Sequence, residues 1–236
     1  IVMKKISSHI IIAVLIIIIL LGTFYFYNKD TQTVEVIGNA QLSVLPDQAL
    51  VYLQIETKDK SAEEAKNKNA LITNKVISSL TNLRIKQENI QTENYNIYPE
   101  YDYEKGREIT GYTASNYIKV ITNDFNNVGK IVDSSVNSGA LINYINFELS
   151  TEKSNEYKKL VLAEASKDSK EKAQAIADGL DKKLGSLVSI SSSNYNYMPY
   201  PLYRAETAQD AKAVATTIQP KNLEISASIK AIYKIR

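Results

Sequence analysis

Cysteine and tryptophan are absent from these 236 residues, histidine occurs once, and proline only five times. Without cysteine there is no disulfide, no thiolate nucleophile, no Cys-based metal site and no lipobox to acylate. The single histidine, His9, stands at the mouth of a long apolar run and reads as an interfacial polar residue. Charge of either sign is not in excess: 28 Lys+Arg stand against 26 Asp+Glu, a formal net charge of +2. Nucleic-acid binders usually gather basic residues on one face, so no nucleic-acid partner is expected. The 8 glycines form neither a G-x-G-x-x-G nor a P-loop, which removes the usual phosphate cradles. No G-x-S-x-G is present. The expectation is a protein that is not an enzyme, with no catalytic residue to assign and no cofactor or metal.

What the chain does have, first, is an uncharged run at 10–27, IIIAVLIIIILLGTFYFY. As a helix rising roughly 1.5 Å per residue it nearly crosses a hydrocarbon core about 30 Å thick. Lys4 and Lys5 precede it, whereas Lys29 and Asp30 after it cancel. Positive charge stays inside. The expected layout is a cytoplasmic tip at 1–9, a transmembrane signal anchor at 10–27, and one extracytoplasmic domain at 31–236. A cleaved signal peptide is the alternative. It needs a shorter apolar core and an A-x-A-like site, and here only the small pair Gly22–Thr23 is available.

Period-two alternation predicts strands at 34–44, 49–56, 90–101, 109–122, 145–149, 184–190 and 223–235. Pro46–Asp47 marks a tight turn between the first two, which are expected to pair as an antiparallel hairpin. Ser61-Ala62-Glu63-Glu64 is a capping box opening a helix to about Leu83, with Ala65, Ile72, Val76, Leu80 and Leu83 on one stripe. Asp124 caps a short helix that Gly139 ends. A longer helix covers about 155–178 and stops at Gly179. No period is legible in 191–219. The fold class expected is α+β, mostly antiparallel sheets with helices packed on one face. Two lobes are expected: 33–122 with 220–236, and 123–190 inserted before the last strand.

The order and punctuation of these pieces resemble the SIMPL-domain family of bacterial extracytoplasmic proteins. Gly38-Asn39-Ala40 and Pro46-Asp47-Gln48-Ala49 open the match. Ser61-Ala62-Glu63-Glu64-Ala65 and Asn69-Ala70 follow, then Asn89-Ile90-Gln91-Thr92, Tyr98-Pro99-Glu100-Tyr101 and Gly111-Tyr112-Thr113-Ala114. Ser138-Gly139-Ala140, Phe147-Glu148-Leu149, Asp168-Ser169-Lys170-Glu171-Lys172-Ala173, Leu184-Gly185 and Val188-Ser189-Ile190 complete it. The chain departs at Asn222, where the family often has glycine, and at Ala40 in place of the second opening glycine. The resemblance implies a periplasmic or cell-surface protein, homo-oligomeric assembly, and an association with envelope or oxidative stress. It supplies no catalytic residue.

Three groups of side chains invite a functional reading. Asp102, Glu104 and Glu108 flank Gly106 and carry oxygen ligands for a cation, but Lys105 and Arg107 lie between them, so the stretch reads as a solvated loop. Ser169-Lys170 falls mid-helix and reads as an exposed face. Ten of the sixteen tyrosines crowd two places. Tyr95, Tyr98, Tyr101, Tyr103, Tyr112 and Tyr117 crowd the third and fourth expected strands and the loop between them. Tyr195, Tyr197, Tyr200 and Tyr203 lie in the unpatterned segment, where amphipathic rings suit an interface or a sugar. Two functions are therefore expected: a membrane-tethered, non-enzymatic module that self-assembles, or a cell-wall or glycan-binding module using the Tyr-rich segment.

Overall fold

The computed structural model describes residues 17–19, 32–104, 106–197, 201–204 and 218–236. The expected anchor at 10–27 lies outside the described residues except for 17–19, which are helical and exposed. Among the described residues no helix is long and apolar enough to cross a membrane. The order of elements is β1 (Thr33–Val44), β2 (Gln48–Asp59), α1 (Ala62–Asn82), β3 (Ile90–Asp102), β4 (Glu108–Thr122), α2 (Val128–Asn137), β5 (Leu141–Glu148), α3 (Thr151–Gly179), β6 (Leu184–Tyr197), β7 (Pro201–Arg204) and β8 (Leu223–Ile235). Helices and strands intermix over two sheets, so the fold is α+β.

Contacts divide the chain into a larger unit, 39–165 with 194–228, and a smaller one, 166–193 and 229–236 with the residues up to Gly38. This division runs differently from the two lobes drawn from the sequence. The boundary passes through β1, α3, β6 and β8 rather than between elements.

In the larger unit five strands lie in the order β3-β4-β2-β5-β7. All four pairings are antiparallel; β2 meets β4 from Ala49↔Thr122 to Asp59↔Tyr112 and meets β5 from Gln48↔Glu148. With both of its edges taken, β2 has no edge left for β1, and the expected β1–β2 hairpin does not form. Instead β1 joins a separate sheet, ordered β1-β8-β6.

Alternation puts Ala49, Val51, Leu53 and Ile55 of β2 on one face, all 0% exposed. Val76 and Leu80 of α1, Val128 and Ile131 of α2, and Ile145 and Phe147 of β5 close over that face. The Phe147 ring meets Phe125 edge-on, with centroids 5.3 Å apart. The start of α1 follows the capping box: Ser61 Oγ accepts the Glu64 N–H at 3.2 Å. One buried member of the stripe is polar. Asn69 donates its amide hydrogens to the Ile55 and Ala114 carbonyls, at 2.9 and 3.0 Å, and so ties α1 to two strands at once. Thr73 donates to Asn69 Oδ1, and Asn116 donates to Thr73, which extends the chain of bonds across the interface.

The smaller unit is built on Val34 and Val36 of β1, Ala231 and Tyr233 of β8, and Ala173 of α3. Lys183 and Arg236 exchange both backbone hydrogen bonds, at 2.8 and 3.0 Å, the signature of an antiparallel pair. Gly185 lies where a Cβ would come within 3.0 Å of the Lys234 backbone, so this crossing needs glycine. Along β8 every second residue from Leu223 to Tyr233 is buried, as its alternation predicts.

The segment 191–219, expected to be unpatterned, begins as strand. β6 continues to Tyr197, and Pro201–Arg204 adds to β5 through Tyr144↔Arg204 and Ile145↔Tyr203. Tyr195 and Tyr197 alternate with Asn194 and Asn196, a period of two that a purely aliphatic count misses because tyrosine is amphipathic. Residues 198–200 and 205–217 lie outside the described residues.

Candidate functional site

The tyrosine lead resolves into structure where it is described. Tyr197 Oη accepts the Leu149 N–H at 2.7 Å, and Tyr195 Oη lies 3.3 Å from Ser154 Oγ, under the Lys158 ammonium at 5.0 Å from the ring centre. Burial pushes the Tyr197 hydroxyl above its ordinary pKa. These two rings hold the start of α3. On the same turn, Ser150 Oγ accepts the Lys153 N–H at 3.3 Å as a helix cap, while Asp47 accepts both the Ser150 N–H and its hydroxyl. A carboxylate at a helix N-terminus is favoured by the unpaired N–H groups there. The Pro46–Asp47 turn thus works as a clamp on a helix 103 residues away. Tyr200 lies outside the described residues, and Tyr203 is placed only by its pairing with Ile145.

The acidic loop is a hairpin turn between β3 and β4. Asp102 Oδ1 accepts the Glu104 N–H at 3.0 Å, Gly106 and Arg107 take positive φ, and the Arg107 guanidinium sits 5.4 Å over the Tyr101 ring. Lys105 lies outside the described residues, and no group of three His, Cys, Asp or Glu among those described could hold a metal ion. Ser169 is not on an exposed face: it is 0% exposed, and its hydroxyl donates to the Ser166 carbonyl at 2.7 Å. The helix turns it inward because it falls four residues from buried Ala165 and Ala173.

What remains is the edges. Among the described residues two sheets present four, and an edge strand is a template for another chain unless it is blocked. β7 is four residues long. β3 carries Glu93, Pro99, Glu100 and Asp102 and has two register shifts; it leaves Tyr95, Ile97 and Tyr98 more than a third exposed. On β1, Lys172 of α3 donates to the Ile37 carbonyl at 3.1 Å while pairing with Asp168 at 2.6 Å. Gln32 faces β8, since its carbonyl accepts the Ile235 N–H. Counting by twos, the Ile37 carbonyl faces outward, so Lys172 caps an open edge.

β6 has none of these devices. From Leu184 to Tyr197 it reads LGSLVSISSSNYNY, with no charge and no proline. Residues 186–192 are exposed without a break, and Leu187, Val188 and Ile190 are 46%, 51% and 50% exposed. Among the described residues β8 is its only strand neighbour. Lys183 spends its N–H and C=O on Arg236. The two-residue period then aims those of Leu184, Ser186, Val188 and Ile190 away from β8. Alternation predicts a strand at 184–190 without marking it as an edge. Its signal was the uninterrupted lack of lysine and proline.

Comparison with known proteins places these features in a family. A family model described as "SIMPL: Protein of unknown function (DUF541)" matches residues 34–233. Over 218 residues the chain is 30% identical to a 26 kDa periplasmic immunogenic protein of Brucella melitensis, with 85% of each chain covered. It is 25% identical over 201 residues to the uncharacterized protein YggE of Escherichia coli, covering 84% of this chain and 81% of that one. The YggE protein of Edwardsiella ictaluri is 22% identical over 204 residues, with 84% of each chain covered.

Proposed function

The chain belongs to the SIMPL family, and on that footing we propose that it is a non-enzymatic extracytoplasmic module that assembles with copies of itself through the open edge of β6. A relative named as periplasmic supports the location. The apolar run at 10–27 supports tethering to the membrane with the domain outside. A place in the envelope or oxidative stress response rests on the family resemblance alone.

The observation that carries assembly is the contrast among edges. Length, acids and proline, or a lysine cap protect three of them, and among the described residues β6 has no such device. A second copy of β6 running antiparallel satisfies the outward N–H and C=O groups of both strands and sets Val188 and Ile190 beside their counterparts. Nothing charged opposes itself across such a pair. Tethering also raises the local concentration, so a modest contact is populated on the membrane.

The test uses the natural lack of cysteine. Val188→Cys in the full chain should cross-link to dimers in membranes, whereas Ile97→Cys on β3 should not. Val188→Lys should lower the mass measured by light scattering in detergent, because a charge blocks strand addition. A monomeric mass together with no cross-link at Val188 would remove assembly. Cross-linking through Ile97 alone would move the interface to β3.

A further inference from the structure

The larger unit holds a hollow that the assembly reading does not use. Its volume is about 440 Å³, and it lies on the part of the three-stranded sheet that belongs to that unit. The central strand β8 supplies Ser226 and Ser228; β1 on one side supplies Asn39 and Gln41; β6 on the other supplies Asn196. Alternation explains the shape. Leu223 and Ile225 turn into the core, which leaves the serines, the smallest hydroxyl side chains, on the floor, where Ala227 and Ala40 complete the lining. The flanking strands carry longer amides, which stand as walls. The hollow is a trough open to solvent, because Asn39, Gln41 and Asn196 are all exposed.

Its chemistry is unusual for this chain. About a quarter of the sequence is charged, 23%, yet the lining has no ionisable group. An anion or a cation would meet no opposite charge there. The amides of Gln41 and Asn196 and the hydroxyl of Ser226 offer donors and acceptors side by side, since each amide carries both and a hydroxyl can act as either. That set complements a ligand whose own groups are neutral and both donate and accept: hydroxyls and N-acetyl amides on a sugar ring. The volume falls within the range of small-molecule sites, and the open ends suit a chain lying across the strands. We propose that this trough binds a neutral saccharide chain through Gln41, Asn196 and Ser226. This moves the glycan-binding function from the tyrosines to the sheet. It does not rest on assembly.

The probe is chitotetraose, a neutral oligomer of N-acetylglucosamine, titrated into the full chain in detergent and followed by calorimetry and by side-chain amide NMR. Saturable binding is expected, with the Gln41 and Asn196 side-chain amide signals shifting most. Gln41→Ala and Asn196→Ala should each weaken binding about threefold to tenfold, the worth of one neutral hydrogen bond. Ser226→Leu should abolish it by filling the floor. If Ser226→Leu does not fold, the two amide variants carry the test, since both lie exposed on the flanking strands. The same titration on Val188→Lys, expected to bind unchanged, separates a failure of the trough from a failure of assembly. No saturation up to about 10 mM, a weak limit for any single site, would overturn the proposal. Binding that survives both amide variants at full strength would overturn it equally.

Discussion

Asp47 and Ser150 are joined twice: one carboxylate oxygen accepts the Ser150 N–H and the other accepts its hydroxyl, each at 2.6 Å. The turn after β1 therefore sets where α3 begins. Asp47 is held in place in turn, its N–H donating to the Glu148 carbonyl and its own carbonyl accepting from Asn123. Replacing it should cost more than a surface aspartate normally does. Asp47→Ala should destabilise the protein by about 3 kcal/mol, because a charge-assisted pair of bonds and a helix cap are lost together. Asp47→Asn, which keeps one acceptor, should lose less. Urea denaturation of the two variants checks this, and equal stability of wild type and Asp47→Ala would show that the clamp is incidental.

Asn69 is the second residue whose cost should exceed expectation. It is 0% exposed and serves two strands. Asn69→Ala should destabilise by about 2–3 kcal/mol, since buried carbonyls lose their donor. Asn69→Leu, which restores volume but no donor, should fail to recover that loss. A Leu variant as stable as wild type would mean that packing, not hydrogen bonding, fixes α1 on the sheet.

Two glycines separate backbone conformation from close approach. At Gly111 an added Cβ would stand 2.9 Å from the Asp59 carbonyl oxygen, on the neighbouring strand. At Gly106 φ is +77° and nothing lies within 4 Å. Gly111→Ala should cost about 1–3 kcal/mol through forced backbone movement. Gly106→Asn should be close to neutral, as asparagine tolerates that region. Thermal unfolding of both variants reads the difference, and a reversed order would contradict the packing of β2 against β4.

Acid should weaken the fold through two carboxylates. The hydrogen bond from Lys68 holds Asp59 below its ordinary pKa, and those from Lys58 and Thr113 do the same for Glu100. Folded values lie below unfolded ones, so the unfolded chain takes up these protons first as pH falls. The contribution is complete above about 4, the ordinary carboxylate range, and is lost as pH drops through the depressed folded values. Tyr197 acts at the other end. Burial raises it, so its contribution is complete below about 10 and is lost as pH rises through the raised folded value. Denaturation midpoints across pH should therefore fall at both extremes. Asp59→Asn with Glu100→Gln should flatten the acid side, and Tyr197→Phe the alkaline side. Unchanged profiles would dissociate these groups from stability.

Local chemistry wrote much of this fold directly into the residues. The Ser61 cap, the α1 stripe, Gly139 at positive φ and the alternation of β8 each follow from contacts within a few residues of chain, where propensity and periodicity act. The SIMPL membership was legible in the same way, from short punctuating motifs taken in order. Partnership between strands was not. Pro46–Asp47 looks like a hairpin turn locally, but β2 offers only two hydrogen-bonding edges, and β4 and β5 fill both. Which edge stays bare is also a property of the finished sheet. Lys172 reads as one more helix-surface lysine until folding brings it to the Ile37 carbonyl. The tyrosines at 195 and 197 look like free recognition rings until their hydroxyls meet Ser154 and the Leu149 N–H. The trough, too, gathers residues from positions 39, 196 and 228, and no local pattern shows that three distant uncharged stretches share one face. The sequence by itself determined most of the elements and the family, since these depend on neighbours along the chain. Tertiary structure alone decided pairing, edges and site, since those depend on which distant groups compete for the same hydrogen bonds.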